Sequence, residues 1–241
     1  MQLPFFYIPL FEPGATDIEL EEDSSRHIIQ VLRKKKDDRL NLTDGRGHLL
    51  TVSITDDHKK HARVRVDEVS FQNRKPGGVT VAISLVKNNT RFEWFLEKAT
   101  EIGVVAVVPL LCERTEKEKF REDRLKQIMI SAMLQSRQVW LPVLHEPIAF
   151  ELLFRQEEIA AIPLRYIAHC TDDVKEDLKG VEGSSIILIG PEGDFTDDEI
   201  SLALSGGFKP VSLGDTRLRT ETAGIVAATL LRGSSPGKQF R

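Results

Sequence analysis

The sequence predicts an α/β protein in which a small β-rich unit precedes a larger domain of alternating strands and helices. Two observations support this prediction. Residues 1–72 contain short strand-like runs separated by turn residues, and residues 79–241 alternate apolar runs with amphipathic helices. Between them, residues 73–78 are polar and end in Pro-Gly-Gly, which is typical of a linker. We therefore expect two domains joined by a short connection.

The N-terminal unit has the pattern of a small barrel, because several short strands follow one another with turns between them. The predicted strands are Phe5–Ile8, Arg39–Thr43, His48–Ile54 and Ala62–Val69. The segment Asp44–Gly47 has the composition of a hairpin turn between two of them. A helix is predicted over Asp23–Leu32, with Ser24 or Ser25 as its cap.

Positive charge is concentrated on and just after this predicted helix. The basic residues are Arg26, Arg33, Lys34, Lys35, Lys36 and Arg39. Such a cluster can contact RNA phosphates, and it can equally be a solvated face balanced by Asp37 and Asp38. From the charge pattern alone, both interpretations stay open.

The second domain alternates buried-type strands with helices, which predicts a mostly parallel sheet. The strands are predicted at Val79–Val86, Val104–Leu111, Arg165–His169, Ser184–Ile189 and Phe208–Leu213, and the helices at Arg91–Ile102, Arg124–Gln135, after Thr196 and at Glu221–Arg232. Thr196 and Glu199 have the spacing of a capping box, and Gly206–Gly207 supplies a stop for that helix.

Two glycine-containing loops follow predicted strands of this domain. Gly190-Pro191-Glu192-Gly193 comes after one strand, and Gly214 opens the loop after the next. Ligands in open α/β sheets bind outside the carboxyl ends of the strands, so these loops are candidates for one crevice lined by main chain. The alternative is two ordinary strand-to-helix turns. The standard glycine-rich phosphate loops are absent from the sequence.

Composition narrows the functional classes. The net charge of −4 argues against a general polyanion-binding surface. Cys112 and Cys170 lack neighbours at zinc spacing, so no metal site is expected, and both are expected to be small buried residues of a protein from a reducing compartment. The longest apolar run, Gly103–Cys112, is too short to span a bilayer, and no signal peptide is visible, so we expect no membrane association and a cytoplasmic location.

The segments IILIGPEGDF (186–195) and LGDTRLRTETA (213–223) carry a family resemblance. They resemble the signature of the bacterial 16S rRNA (uracil-N3) methyltransferases, the RsmE type of the SPOUT superfamily. The matching positions are Ile189, Gly190, Pro191, Glu192, Gly193, Phe195 and Thr196, then Leu213, Gly214, Leu218, Arg219, Glu221, Thr222 and Ala223. Asp194 stands where the family has a second Gly, and Arg217 stands where it has Ile. Lys98–Gly103 and Gln135-Ser136 match further family motifs, although Gln138 occupies the position of an expected Arg.

This resemblance implies a fold, a cofactor and partners. The C-terminal domain is expected to be a SPOUT-type α/β domain with a trefoil knot, preceded by a PUA-like β-barrel that holds RNA. The cofactor is S-adenosylmethionine, and the partners are 16S rRNA or the small ribosomal subunit and a second copy of the chain in a homodimer. The family target is uridine 1498 of the small-subunit rRNA.

The resemblance also assigns site residues. The cofactor-binding set is Leu188, Ile189, Gly190, Glu192, Gly193, Leu213, Gly214, Leu218 and Thr222. The RNA-binding set is Arg26, Arg33, Lys34, Lys35, Lys87, Arg91 and Arg137, where Arg137 substitutes for the Arg expected at 138. The catalytic candidates are Arg219 and Glu221.

Arg219 is expected to stabilise the negative charge that develops on the uracil oxygens. Its alternative role is a salt bridge with Glu221 or Glu192, and Glu221 could orient Arg219 or act as the base. Thr220 is expected to cap the last helix.

The apolar face of that last helix is expected to be a packing or dimer surface, and its residues are Ala223, Val226, Ala227 and Leu230. Two rival functions remain, a nucleotide-dependent oxidoreductase and a noncatalytic RNA-binding module. The first would need a glycine-rich first strand-to-helix turn, which Val86–Thr90 does not contain.

Overall fold

The computed structural model of the chain describes residues 3–74, 76–116, 120–170, 175–178, 180 and 182–233. Lys75 of the predicted linker and residues 234–241 of the predicted second domain lie outside these ranges. The chain divides into two compact units. The first contains residues 1–74 and 133–141, and the second contains residues 75–132 and 142–241.

The described residues form thirteen strands and seven α-helices. The strands are β1 (Phe5–Tyr7), β2 (Asp17–Glu19), β3 (Arg39–Thr43), β4 (His48–Asp56), β5 (Arg63–Phe71), β6 (Gly78–Ser84), β7 (Ala106–Leu111), β8 (Val143–Leu144), β9 (Ile148–Ala149), β10 (Leu164–Ala168), β11 (Glu176–Asp177), β12 (Ser184–Ile189) and β13 (Lys209–Ser212). The helices are α1 (Glu22–Arg26), α2 (Asn89–Ile102), α3 (Glu122–Gln135), α4 (Phe150–Leu153), α5 (Glu157–Ala160), α6 (Asp197–Ser205) and α7 (Thr220–Arg232). None of these helices is both long and apolar enough to cross a membrane.

The first unit is built on a five-stranded sheet in the order β1-β3-β4-β5-β2. β1 runs parallel to β3, and the other neighbours are antiparallel. Alternate residues of β3, β4 and β5 point into one apolar core, which includes Leu40, Leu50 and Val64. All four predicted strands are present. Sequence analysis missed β2, because three residues with two exposed acidic side chains give no apolar pattern.

The helix of this unit begins earlier than predicted, and neither Ser24 nor Ser25 caps it. It starts at Glu22 and continues from Arg26 into a π-helical turn, His27–Val31. The buried Ser25 hydroxyl lies inside the helix, where it donates to Leu20 O at 3.1 Å and accepts from Ala62 N–H at 3.0 Å. Ser25 therefore links the helix to the residue before β5 and does not accept from an unpaired N–H group of the helix's first turn.

A segment that follows α3 in the sequence packs onto the first unit. Gly47 N–H donates to Val139 O, and Leu141 N–H donates to Gly45 O, both at 2.8 Å. Trp140 forms an antiparallel bridge with Arg46 between these bonds. Main-chain pairing with the turn between β3 and β4 thus explains why residues 133–141 group with the first unit.

The second unit is organised on a sheet in the order β11-β13-β10-β12-β6-β7-β8, with β9 also beside β7. Every strand pair in it is parallel, which confirms the predicted α/β architecture. The central strand β12 is buried from Ser185 to Ile189. Gly103 ends α2 in the left-handed conformation, at φ 88°. The predicted capping box of Thr196 and Glu199 is confirmed at the start of α6.

Helix α7 packs against α2 and β6, and Gly224 makes this close approach possible. A Cβ atom at Gly224 would lie 2.6 Å from the Phe95 ring and 2.9 Å from Ile83 Cδ1. The face buried within the chain contains Thr220, Glu221, Gly224, Ala227, Ala228 and Leu231. Three of the four residues predicted for the packing or dimer face, Ala223, Val226 and Leu230, are only partly buried.

We predict that Gly224→Val lowers the free energy of unfolding by about 1–3 kcal/mol, because Phe95 and Ile83 are fully buried and cannot move aside. Urea denaturation followed by circular dichroism measures this change. The matched control is Thr229→Val, which places the same side chain at an exposed position of the same helix. Equal stability of the two variants would contradict the packing argument.

Candidate active site

The two glycine-containing loops of the second unit lie at the same edge of its sheet. β10 is hydrogen-bonded to β12 on one side and to β13 on the other, so the loops after β12 and β13 are two strand spacings apart, about 10 Å. Arg217 of the second loop donates from Nη2 to Glu192 O of the first at 3.5 Å. The loops are therefore neighbours, as a shared crevice requires.

The first loop, residues 190–195, turns back on itself directly after β12. Asp194 N–H donates to Pro191 O at 3.0 Å, and Asp194 has a φ of 64°. The chain packs closely at Gly190, where a Cβ atom would lie 3.1 Å from the Phe195 ring and 3.2 Å from the Phe195 amide nitrogen. The turn leaves Glu192 and Gly193 exposed and buries the Phe195 ring.

Asp194 fits a position where the related family has glycine. Aspartate is among the few residues that tolerate the left-handed backbone region. Its Oδ1 accepts from Phe195 N–H at 2.9 Å, and its Oδ2 accepts from Cys170 N–H at 2.7 Å, just after β10. This departure from the family pattern therefore adds a hydrogen bond that joins the loop to the end of β10.

Two further side chains hold the loop against the end of β7. Glu199 is buried at the start of α6, where its Oε2 accepts from Thr196 N–H and its Oε1 accepts from Glu113 N–H, both at 2.9 Å. Arg114 Nη1 donates to Gly193 O at 2.7 Å. Sequence analysis missed Arg114 because it lies 79 residues before its partner and belongs to no local motif.

The two cysteines flank this hydrogen-bonded loop. Burial, and then the negative charge of Glu199, raise the pKa of Cys112 to about 12. Cys170 is exposed, contrary to the expectation that both are buried. Partial burial, and then the charge of Asp194, raise the pKa of the Cys170 thiol.

The second loop exposes its main chain. Gly214 has a φ of 122°, and a Cβ atom there would meet nothing within 4 Å. Its N–H donates to Ser212 Oγ at 3.2 Å. Residues 214–217 are exposed, whereas Leu213 and Leu218 at the two ends are half-buried. The loop thus presents bare backbone between two apolar side chains.

Arg219 follows this loop, and its side chain has no hydrogen-bond or ion-pair partner among the described residues. It is exposed and occupies the N-cap position of α7, so the expectation that Thr220 caps this helix was wrong. Thr220 is already helical, and no side chain caps the helix. The guanidinium of Arg219 is therefore available to a ligand.

Glu221 pairs with Arg91 rather than with Arg219. Glu221 is only 6 % exposed, and its Oε1 lies 3.8 Å from Arg91 Nε. Its Oε2 has no hydrogen-bond partner among the described residues. The structure therefore contains neither of the salt bridges considered for Arg219, with Glu221 or with Glu192, and brings in Arg91 from the start of α2.

The other predicted cofactor-binding residues differ in accessibility. Leu188 and Ile189 are buried strand residues, so their side chains do not reach the surface. The chain becomes accessible only in the loop that follows Ile189. Thr222 is half-buried on the first turn of α7. Two cavities of the second unit, of about 280 and 380 Å³, are lined by neither loop.

The predicted RNA-binding residues fall into both units. Arg33 and Lys35 are exposed in the first unit, where Arg26 pairs with Glu22 at 2.6 Å and Lys34 lies 3.9 Å from Asp38. Arg137 is exposed in the same unit, with a φ of 56°. In the second unit, Lys87 is exposed and pairs with Glu116 at 2.7 Å, and Arg91 is half-buried beside Glu221.

Comparison with known families covers most of the chain. Residues 73–232 match the family described as RNA methyltransferase domain, and residues 20–67 match the RNA methyltransferase PUA domain. The chain is 36% identical over 213 residues to the "Ribosomal RNA small subunit methyltransferase E" of Synechocystis sp., which covers 83% of this chain and 68% of that protein. It is 30% identical over 234 residues to the protein of the same name from Mycobacterium bovis, with 92% and 88% covered.

Solved structures show the same similarity. A crystal structure of a "probable rRNA-methyltransferase" from Porphyromonas gingivalis matches with a TM-score of 0.85 and 39% identity, over 94% of this chain and 95% of that one. The ribosomal RNA small subunit methyltransferase E of Neisseria gonorrhoeae, bound to S-adenosyl methionine, matches with a TM-score of 0.81 and 28% identity over the same shares. Both units of this chain therefore have counterparts in these proteins.

We predict that Asp194→Asn lowers the pKa of Cys170, because it removes a negative charge that disfavours the thiolate. Asparagine also tolerates the left-handed backbone and keeps an oxygen that can accept from Cys170 N–H. Alkylation of Cys170 should then become faster at about pH 8, and the midpoint of its pH–rate profile should move to lower pH.

The control for this prediction is Asp215→Asn, which removes an exposed carboxylate from the second loop instead. Buried Cys112 should stay unmodified in every variant and serves as an internal check that the protein is folded. An unchanged midpoint in Asp194→Asn would mean that this carboxylate does not act on the thiol.

Proposed function

Since the chain belongs to the RNA methyltransferase family of the ribosomal RNA small subunit methyltransferase E type, we propose that it methylates N3 of a uridine in 16S rRNA with S-adenosylmethionine as the methyl donor. The observation that carries this proposal is the exposure of residues 192–193 and 214–217 in two loops joined by Arg217, together with an Arg219 side chain that has no partner among the described residues. The target nucleotide that we propose is the family position, uridine 1498, and the reaction takes place in the cytoplasm.

The residues around the two loops fit S-adenosylmethionine. Gly193 and Gly214 are exposed, and each carbonyl oxygen keeps a second lone pair that can accept a hydrogen bond from an adenosine. The half-buried Leu213 and Leu218 provide apolar walls for its base. Apart from its two chain neighbours, no described residue has an atom within 4 Å of the position where a Cβ of Gly214 would be, so the ligand can approach the backbone there. When bound, S-adenosylmethionine supplies an electrophilic methyl group on a positively charged sulfur.

Arg219 stabilises the uracil during the reaction. N3 of uridine carries a proton that must leave if the methylated base is to be neutral, and the negative charge that develops spreads onto the ring oxygens O2 and O4. A guanidinium that is not committed to a carboxylate can donate to these oxygens. The absence of a partner for Arg219 among the described residues supports this role.

Glu221 acts by positioning rather than as the base. Its carboxylate is almost completely buried and lies beside Arg91, so it can hold that side chain at the start of α2. The imide proton is then released to bulk solvent. Arg91, predicted to bind RNA, is fixed by this ion pair at the rim of the site.

We also propose that the C-terminal unit is knotted and that the enzyme is a homodimer. The order β13-β10-β12-β6, in which β10 lies between two strands that follow it in the sequence, supports the knot. The partly buried face of α7, together with Trp94 on the neighbouring α2, which is 43 % exposed, supports an apolar dimer surface.

The test of this function is methylation of small-subunit rRNA by the purified chain. We predict that wild-type protein binds S-adenosylmethionine and that Arg219→Ala lowers the methylation rate by about 100- to 1000-fold, with the dissociation constant of the cofactor changed by less than about threefold. Radiolabelled methyl transfer measures the rate, mass spectrometry of rRNA fragments identifies the nucleotide, and calorimetry measures cofactor binding.

The control is Arg217→Ala, which removes an exposed arginine two positions earlier. Because Arg217 bridges the loops, its loss should raise the KM for the cofactor and leave kcat largely intact. If Arg219→Ala abolishes cofactor binding, Arg219 is structural. Binding of NAD in place of S-adenosylmethionine would support an oxidoreductase, and binding of neither would support a noncatalytic RNA-binding module.

A separate prediction concerns the basic residues of the first unit. We expect the double substitution Arg33→Gln, Lys35→Gln to weaken RNA binding and to lower the slope of log affinity against log salt by about one to two, because both side chains are exposed and would contact phosphates. The control pair is Lys60→Gln, Arg63→Gln, which removes two charges already paired with Glu22 and Glu19. Equal losses in both pairs would indicate a general effect of charge.

A further inference from the structure

An aromatic cluster lies on the first unit and contains none of the basic residues predicted to bind RNA. Phe71 at the end of β5 contacts Trp140, with ring centroids 5.9 Å apart and planes at 79°. On its other side Phe71 contacts His48, at 5.1 Å. Arg74 Cζ lies 5.1 Å from the centroid of the Trp140 ring. Four residues from three separate parts of the sequence thus form one continuous array.

The array is held in a fixed geometry. Trp140 Nε1 donates to Gln72 O at 2.8 Å, and Gln72 N–H donates to Gly47 O at 2.9 Å. A Cβ atom at Gly47 would lie 2.6 Å from Trp140 Cζ2 and 2.8 Å from Phe71 Cε2, so both rings pack directly on glycine backbone. His48 is fixed by the buried carboxylate of Asp44, at 2.7 Å.

Despite this order, Phe71 is 53 % exposed. The outer edge of β5 pairs with β2 only at residues 63–65, and residues 67–71 are all exposed. Phe71 therefore lies beside an open sheet edge, and the described residues of the first unit leave more than half of it exposed. Burial of apolar surface alone does not account for a rigid, half-exposed ring in this position.

Two arginines lie next to Trp140, the aromatic neighbour of Phe71. The guanidinium of Arg74 lies over the neighbouring indole, and exposed Arg46 forms the main-chain bridge with Trp140. A flat aromatic face next to two arginines matches the chemistry of an unpaired nucleotide, whose base stacks and whose phosphate is negative. An acidic peptide would satisfy the arginines but would not use the open ring, and a duplex would not offer an unstacked base.

We propose that Phe71, with the Trp140–Arg74 pair beside it, is a stacking platform for an unpaired base of the RNA, and that Arg46 and Arg74 contact the adjoining phosphates. The proposal rests on the proposed action on RNA and adds a second contact site on the first unit. It gives residues 139–141 a role in substrate binding, because they carry Trp140 onto the turn between β3 and β4.

The test compares two substitutions of Phe71 in the full chain. Phe71→Leu keeps an apolar side chain against His48 and Trp140 but removes the aromatic face, whereas Phe71→Tyr keeps the ring. We expect Phe71→Leu to bind a short single-stranded oligoribonucleotide at least about fivefold more weakly, and Phe71→Tyr to stay within about twofold of wild type. An abasic oligonucleotide of the same length should bind all three proteins equally, because it retains the phosphates and lacks the bases.

Equal affinity of Phe71→Leu and wild type for the base-containing RNA would overturn the platform. Equal losses of affinity on the abasic oligonucleotide would overturn it as well, because the effect would then not come from stacking. A wild-type protein that binds no RNA at low salt contradicts the proposed function itself. If the wild-type protein methylates rRNA and Phe71→Leu binds the base-containing RNA as tightly as wild type does, only the platform is contradicted.

A second measurement does not depend on the folding of Phe71→Leu. Trp94 and Trp140 are the only tryptophans in the sequence, so Trp94→Phe leaves Trp140 as the single reporter. Saturation with the base-containing oligoribonucleotide should quench Trp140 fluorescence, and the abasic oligonucleotide should not. Unchanged fluorescence at saturating RNA would mean that no base approaches the platform.

Discussion

The hydrogen bonds that hold the loop after β12 are the constraint on which the rest of the site depends. Asp194 ties this loop to the end of β10, and Glu199 and Arg114 tie it to the end of β7. Each bond involves a charged side chain and a main-chain group, which makes it stronger than a neutral bond. A ligand that binds exposed backbone therefore meets a loop whose conformation is already fixed, so little conformational entropy is lost on binding.

Arg91 and Arg219, two arginines near the loops after β12 and β13, have different electrostatic surroundings. Arg91 lies beside a buried carboxylate and is held there, because an unpaired Glu221 in the protein interior would be costly. Arg219 is only two residues from Glu221 in sequence, yet it stands before the first turn of α7 and points to no carboxylate among the described residues. One arginine is thus paired with a carboxylate of the framework, and the side chain of the other is free to take the role that we propose for it, which is to stabilise charge that develops in the substrate.

The whole chain has a net charge of −4, and the charges of the first unit show how such a chain could still bind a polyanion. Acidic partners neutralise many of its cations, as Glu22 does for Arg26, while Arg33 and Lys35 remain exposed. The proposed aromatic platform would add affinity that depends less on salt than phosphate contacts do. We propose that this unit binds RNA through a few locally exposed cations rather than through overall charge.

The sequence by itself determined the longer strands and helices and the two loops, because apolar periodicity, capping residues and glycines act over a few positions. It did not reveal elements of two to four residues such as β2, β8 and α4, which are too short to show a periodic pattern. It also carried the motifs that indicate the family. Only the tertiary structure decided the contacts between distant segments. Arg114 reaches Gly193, Arg91 reaches Glu221, and Trp140 joins the first unit although it follows α3. No local pattern encodes such pairs, since each depends on which strand ends the parallel sheet brings together or on which turn accepts a passing segment.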